Sequence, residues 1–214
     1  MAYYFPEGSS IQFSNTLATA KTVTVATNAN PAALTSTAHG YVTGDEVLFT
    51  SGWEDATDTV FKVTVIDANS FSLQGLNSTS TSFYPAGGGT GSTQKLSAWS
   101  AVPQVLNIST SGGDARFTTV SPLAKRNDIN VPTGFNALSM TMTMGHDPSN
   151  ATYQTMLDIS RTLSKVAIKM VLGGGGTMYG YGYMSVAEAP TLSRNQANQV
   201  NAALTVLGRA ISYS

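Results

Sequence analysis

Leu138-Ser139-Met140-Thr141-Met142-Thr143-Met144 alternates apolar and hydroxyl side chains without a break. That period of two puts the methionines on one face and the hydroxyls on the other, which predicts a half-buried β-strand. Working outward to Ala137–Val186, the next element is a short helix. Asp147 is read as its N-cap and Pro148 as its first residue. Tyr153, Met156, Leu157 and Ser160 then recur at helical spacing. Beyond it, Lys165–Leu172 and Thr177–Val186 alternate around Gly173-Gly174-Gly175-Gly176, the pattern of a hairpin. Tyr179, Tyr181 and Tyr183 fall on one face of its second arm, and Met178, Gly180, Gly182 and Met184 on the other. Glycines inside a strand point to close approach by a neighbouring backbone or sheet.

The chain has 214 residues and a net charge of −1. It can bury a core without staples, as one large β domain or two small ones. There is no cysteine, so disulfides and thiolate metal sites are excluded. Only 11% of residues are charged, against a usual figure of about 25%. Ser, Thr, Asn and Gly fill the gap, which suits an assembly subunit better than a free enzyme kept in solution by charge. The net charge carries no basic footprint for tight nucleic-acid binding. No apolar run reaches membrane-spanning length, and Met1–Glu7 has no signal-peptide pattern.

Residues 19–97 read as an inserted small all-β module. Thr22–Ala26, Glu46–Thr50, Val60–Ile66 and Ser70–Leu73 alternate as strands, and Asp67-Ala68-Asn69 turns the last two into a hairpin. Gly87–Gly91 reads as a flexible seam near its end. Three lysines stand against six carboxylates there, 3 − 6 = −3, which leaves the remaining frame at −1 − (−3) = +2. That frame comprises residues 1–18 and 98–214. It holds strand candidates Ser10–Ser14, Val105–Ser109 and Val200–Tyr213, an N-terminal arm, and a long irregular stretch over 110–134 that concentrates Asp114, Arg116, Lys125, Arg126 and Asp128. Loops of that length usually do something.

The sequence carries no recognisable catalytic or cofactor constellation. His39 and His146 are the two histidines, both read as exposed turn residues, and neither has a triad or nucleophile elbow around it. The glycine runs lack the lysine of a phosphate loop. Glu54-Asp55-Ala56-Thr57-Asp58 lacks the glycine and distal glutamate of a calcium loop and reads as a solvated acidic turn. The expectation is therefore no enzyme, no cofactor and no metal.

Several pieces in order resemble the major tail tube protein of long, non-contractile-tailed (siphovirus-type) bacteriophages. They are Ala115–Val120, Val131-Pro132-Thr133-Gly134-Phe135, Gly145-His146-Asp147-Pro148 with its helix, and Leu204–Ile211. Residues 38–91 separately resemble a small β module common in phage structural proteins. The resemblance implies a mainly β fold, an antiparallel sandwich or barrel flanked by one short helix, with the module on the tube exterior. It implies hexameric rings stacked into a tail tube that conducts the genome, assembled in the host cytoplasm, with the tape measure protein and tail terminator and tip proteins as partners. DNA would pass without specific binding. Arg116, Phe117, Lys125, Arg126 and Asp128 become the expected subunit and ring interface. Tyr179, Tyr181 and Tyr183 become candidates for inter-subunit or inter-sheet packing. Lumens in this family are usually electronegative, whereas this frame is +2, which leaves the wall to a few carboxylates such as Glu188 or to uncharged Thr/Ser/Asn faces. The alternative is a tail-tip or fibre protein that binds a host receptor through the 19–97 module, with Trp53 stacked on a sugar.

Overall fold

The structure is a computed structural model that describes residues 7–214; the expected arm over residues 1–6 lies outside them. Among the described residues, two rolled antiparallel sheets and one two-stranded ribbon hold the strands, and one helix covers the larger sheet.

The frame sheet takes β1 (Ser10–Ser14), β9 (Ser100–Ala101), β10 (Val105–Ser111), β13 (Ser139–Gly145), β14 (Lys165–Val171), β15 (Thr177–Val186), β16 (Gln199–Val206) and β17 (Ile211–Tyr213). Their order is β10-β13-β16-β15-β14-β1-β9, and β17 also pairs with β15. Its edge strands β9 and β10 are consecutive in the chain, separated by Val102–Gln104 alone. Laid flat, seven strands would hold those edges about 29 Å apart, whereas the connection spans at most about 14 Å. The sheet must therefore roll into a nearly closed barrel. Val102 N–H donates to Ile11 C=O on one edge strand's neighbour, and Gly145 N–H donates to Gln104 C=O on the other side.

The inward face of the roll is apolar. Ile11, Phe13, Met140, Met142, Met144, Val166, Ile168, Met184, Val200, Ala202 and Leu204 meet there. Helix α1 (Ala151–Thr162) adds Tyr153, Met156, Leu157 and Ile159 to the same core. Its N-cap is Asn150, whose Oδ1 accepts from Thr152 and Tyr153 N–H. Asp147 instead closes a local turn on Ser149, and Pro148 stays outside the helix. Asx-turn formation competes with capping for the same carboxylate.

The module sheet takes β2 (Lys21–Val23), β3 (Val25–Ala26), β4 (Ala33–Thr35), β5 (Glu46–Ser51), β6 (Thr59–Asp67), β7 (Ser70–Leu73) and β8 (Gly91–Lys95), in the order β2-β8-β5-β6-β7-β4-β3. Its edges are separated in sequence by Thr24 alone, so the same reach argument closes it as well. Val47, Phe49, Trp53, Phe61, Val63, Phe71 and Leu73 fill it. His39 is buried rather than exposed. Tyr41 N–H donates to its Nδ1, so Nε2 carries the proton that goes to Asp67 C=O. The Gly87–Gly91 run is a packed turn, not a flexible seam. A Cβ on Gly89 would stand 2.7 Å from the Trp53 ring, and Gly91 already opens β8.

Two further expectations change. Residues 110–134 are not irregular: β11 (Ala115–Val120) and β12 (Ile129–Phe135) pair as a two-stranded ribbon. The expected final strand Val200–Tyr213 is split into β16 and β17 by Leu207–Ala210, which bulges toward the module, with Arg209 N–H donating to Thr59 Oγ1.

Candidate assembly surfaces

Three surfaces stand out once the core is accounted for, and they use most of the residues singled out from sequence.

The first is the ribbon β11–β12. It continues the β10–β13 pair through Gly113 N–H to Asn136 C=O and Asn136 N–H to Asp114 C=O. Among the described residues nothing covers either of its faces. Phe117, Val120, Leu123, Ile129, Val131 and Phe135 are all exposed, Leu123 fully so. A lone two-stranded ribbon is marginal in water without a packed face. Cross-strand pairing puts Val120 beside Ile129 and Thr118 beside Val131 on one face, with Phe117 beside Pro132 on the other. Ser121 Oγ donates to Asp128 Oδ1 at 2.7 Å and holds the tip. Arg116 contacts Thr133. Among the described residues, none of Arg116, Lys125, Arg126 or Asp128 joins an ion pair within the chain. Their charges are free for a partner.

The second is the outward face of β10, β13 and β16. Register places Asn107, Ser109 and Ser111 opposite Thr143, Thr141 and Ser139. Those three in turn oppose Asn201, Ala203 and Thr205. The face carries no charge. Beside it, among the described residues β10 pairs only with β13, so beyond the short span that ties it to β9 its other edge is open.

The third is the junction between the frame and the module. Tyr179, Tyr181 and Ala167 on the outward side of β14–β15 bury against Leu48, Val60 and Leu96 of the module. The tyrosine row thus packs between sheets of one chain, and Tyr183 alone of the three is exposed. The neighbouring glycine position is also explained: a Cβ on Gly182 would stand 1.9 Å from the Thr205 carbonyl oxygen on β16. Glu46 is the polar centre of the junction. Its carboxylate pairs with Lys169 Nζ at 2.8 Å and accepts from Tyr179 OH and Trp99 Nε1. Burial first, and the Glu46 carboxylate next, push the Tyr179 phenol well above its usual range. Asp58 pairs with Lys165 at 3.4 Å. Tyr213 donates to Gln74 C=O and accepts from Lys62 N–H, so β17 clasps the module. Two of the module's six carboxylates therefore neutralise frame lysines. Sequence reasoning missed this cluster because its members lie far apart in the chain and each sits alone in its own local pattern.

The remaining candidates fall elsewhere. Glu188 lies exposed beside the helix, with its Oε1 2.8 Å from Arg161 Nε. Trp53 is buried in the module core with Nε1–H donating to Pro85 C=O, which removes it as a sugar platform. Among the described residues no group of His, Asp or Glu is placed to hold a metal, and no helix is long and apolar enough to cross a membrane.

A scan against protein-family models matches residues 51–214 to the phage tail tube proteins, TTP. The chain belongs to that family. A search of curated proteins finds no match. Among solved structures, the SPP1 tail tube, determined by solid-state NMR and cryo-EM, is similar at 15% identity over 55% of this chain and 69% of that chain, with a TM-score of 0.44. The anti-feeding prophage cap, which terminates the AFP tube, is similar at 19% identity over 53% of this chain and 82% of that chain, with a TM-score of 0.35. As a phage tail tube protein the chain is a structural component of the virion's tail, not an enzyme.

Proposed function

We propose that six copies close into a ring, that rings stack into the tail tube of a siphovirus-type phage, and that the genome passes through its bore. The observation that carries this reading is the uncharged outward face of β10, β13 and β16 beside the open edge of β10. Pairing that edge with the next copy would extend the face into a continuous cylinder and remove an edge that otherwise invites uncontrolled association. A head-to-tail contact of this kind closes into a ring when its rotation closes. Ser, Thr and Asn side chains on the wall offer DNA no fixed cations, so phosphates slide without the strong attraction that a basic bore would exert. This favours the uncharged wall over Glu188, whose charge is already paired with Arg161. In this arrangement the module, packed against β14–β15, decorates the outside of the tube. Arg116, Phe117, Lys125, Arg126 and Asp128 on the ribbon make the contacts between copies. The tape measure protein fills the bore before ejection, and terminator and tip proteins close the two ends. The receptor-binding alternative loses its named residue with the burial of Trp53.

Electron microscopy of the purified protein tests the reading. Stacked rings with an axial channel lined by Thr141 and Thr143 are expected. Monomers or discrete trimers, or a tube with a basic bore, would overturn it.

A further inference from the structure

A cleft of about 970 Å³ opens between the module, the root of the ribbon and the bulge before β17. Its lining includes Glu54 and Asp55 on the module's acidic turn, Arg209 on the bulge, and the apolar side chains of Phe83, Phe135 and Leu207. All three apolar side chains are exposed. Among the described residues, Glu54, Asp55 and Arg209 make no ion pair within the chain. The cleft therefore presents two negative charges and one positive charge beside three exposed apolar side chains.

The ribbon tip carries the complementary set. Lys125 and Arg126 supply two positive charges, Asp128 one negative charge, and Leu123 a fully exposed apolar side chain. A chain cannot fill its own cleft with its own tip. The cleft sits at the ribbon's root, and β11 is six residues long, so the tip projects about 20 Å away from it. The matching tip must come from another copy.

We propose that the ribbon tip of one subunit docks in this cleft of the next, with Leu123 against Phe83, Phe135 and Leu207, Lys125 and Arg126 against Glu54 and Asp55, and Asp128 against Arg209. The contact rests on the self-association proposed above and adds to it a role for the module, which becomes half of the receptor for its neighbour's ribbon. Root and tip are different surfaces, so the contact is head-to-tail and propagates from copy to copy. Opposite charges also fix the register and reject a wrongly placed tip, because juxtaposed like charges are strongly unfavourable across an interface.

Charge reversal tests it on the assembled protein. Lys125→Glu with Arg126→Glu, or Glu54→Lys with Asp55→Lys, is expected to cut the yield of sedimentable tube by at least about tenfold at equal concentration. Combining both reversals in one chain is expected to restore it. Circular dichroism checks that each variant is folded. Folded variants with undiminished tube, or a combined variant that stays as defective as its parents, would overturn the proposal. The absence of cysteine permits a second measurement. Leu123→Cys and Phe83→Cys in one chain should oxidise to a ladder of covalent multimers, whereas either alone should give none beyond a dimer. If the wild type forms no tube, the conduit reading falls. The cysteine pair still decides this contact, since a ladder sustains it and uncross-linked chains refute it.

Discussion

Replacing Glu46 with leucine probes how the module is held. Its side chain is 12% exposed and that of Lys169 21%, so both charges are largely desolvated. Three donors converge on the carboxylate: Lys169 Nζ, Tyr179 OH and Trp99 Nε1. Hydrogen bonds to a charged group contribute about 1.5–3 kcal/mol each, and the three are not additive. Breaking a buried pair by removing one partner costs about 3–5 kcal/mol. Lys169 keeps some access to water, so Glu46→Leu is expected to cost about 3–4 kcal/mol. At about 2–4 °C per kcal/mol for a chain of this size, the midpoint falls by about 10 °C. Lys169→Met alone should cost about 2 kcal/mol, less than a fully stranded charge, because Glu46 still accepts from Tyr179 and Trp99. The double variant should also sit only about 2 kcal/mol below wild type, the residue of Tyr179 and Trp99 left without an acceptor. Urea unfolding of the dispersed chain, followed by far-UV circular dichroism, measures all three. A coupling of about 2 kcal/mol or more between the two sites is expected. Costs that simply add, or a Glu46→Leu cost below about 0.5 kcal/mol, would show that the cluster is an ordinary surface pair and that the reasoning is wrong.

Two other expectations follow from the same geometry. Gly89→Ala drives a methyl group into Trp53, whose ring is held by Pro85 C=O and Tyr84. It should destabilise by about 1–3 kcal/mol through overpacking, read as a lower urea midpoint, and a neutral result would mean that the turn yields freely. Burial raises the phenols of Tyr41, Tyr179, Tyr181 and Tyr213. Their contribution to stability is fully present below the unfolded value of about 10 and is lost as pH rises above it, because the native state then holds more protons than the unfolded chain. Absorbance titration should show these phenolates appearing together with unfolding. An ordinary titration of every tyrosine in a chain that stays folded would contradict it.

The strands that face a core are legible because burial imposes alternation: Met140, Met142 and Met144 point inward and Thr141 and Thr143 outward, as their order requires. The helix is legible for the same reason, but its start is not. Asp147 and Asn150 are both competent caps, and only the local turn at Ser149 decides between them. The ribbon escapes because its two faces are equally uncovered, so Arg116–Val120 carries no contrast between inside and outside. The tyrosine row announces packing without naming the partner. Tyr179 meets Glu46 across 133 positions of chain, and no local period encodes such a meeting. The uncharged wall is visible residue by residue in the sequence, but it becomes a surface only when the β10–β13–β16 register aligns three separate strands.

The short span from Ala101 to Val105 has a mechanical consequence. It acts as a strap around the frame sheet, with Val102 and Gln104 tied to both of its flanks. A curved sheet held only by side-chain packing can flatten when its filling shrinks or when load spreads its margins. Here the covalent chain sets an upper limit on how far the margins can part, at about 14 Å. Trimming Met142 or Leu204 would leave a void inside a hoop of nearly unchanged circumference. In a tube built from such hoops, the calibre of each subunit belongs to the backbone, and the core determines only how firmly it is filled.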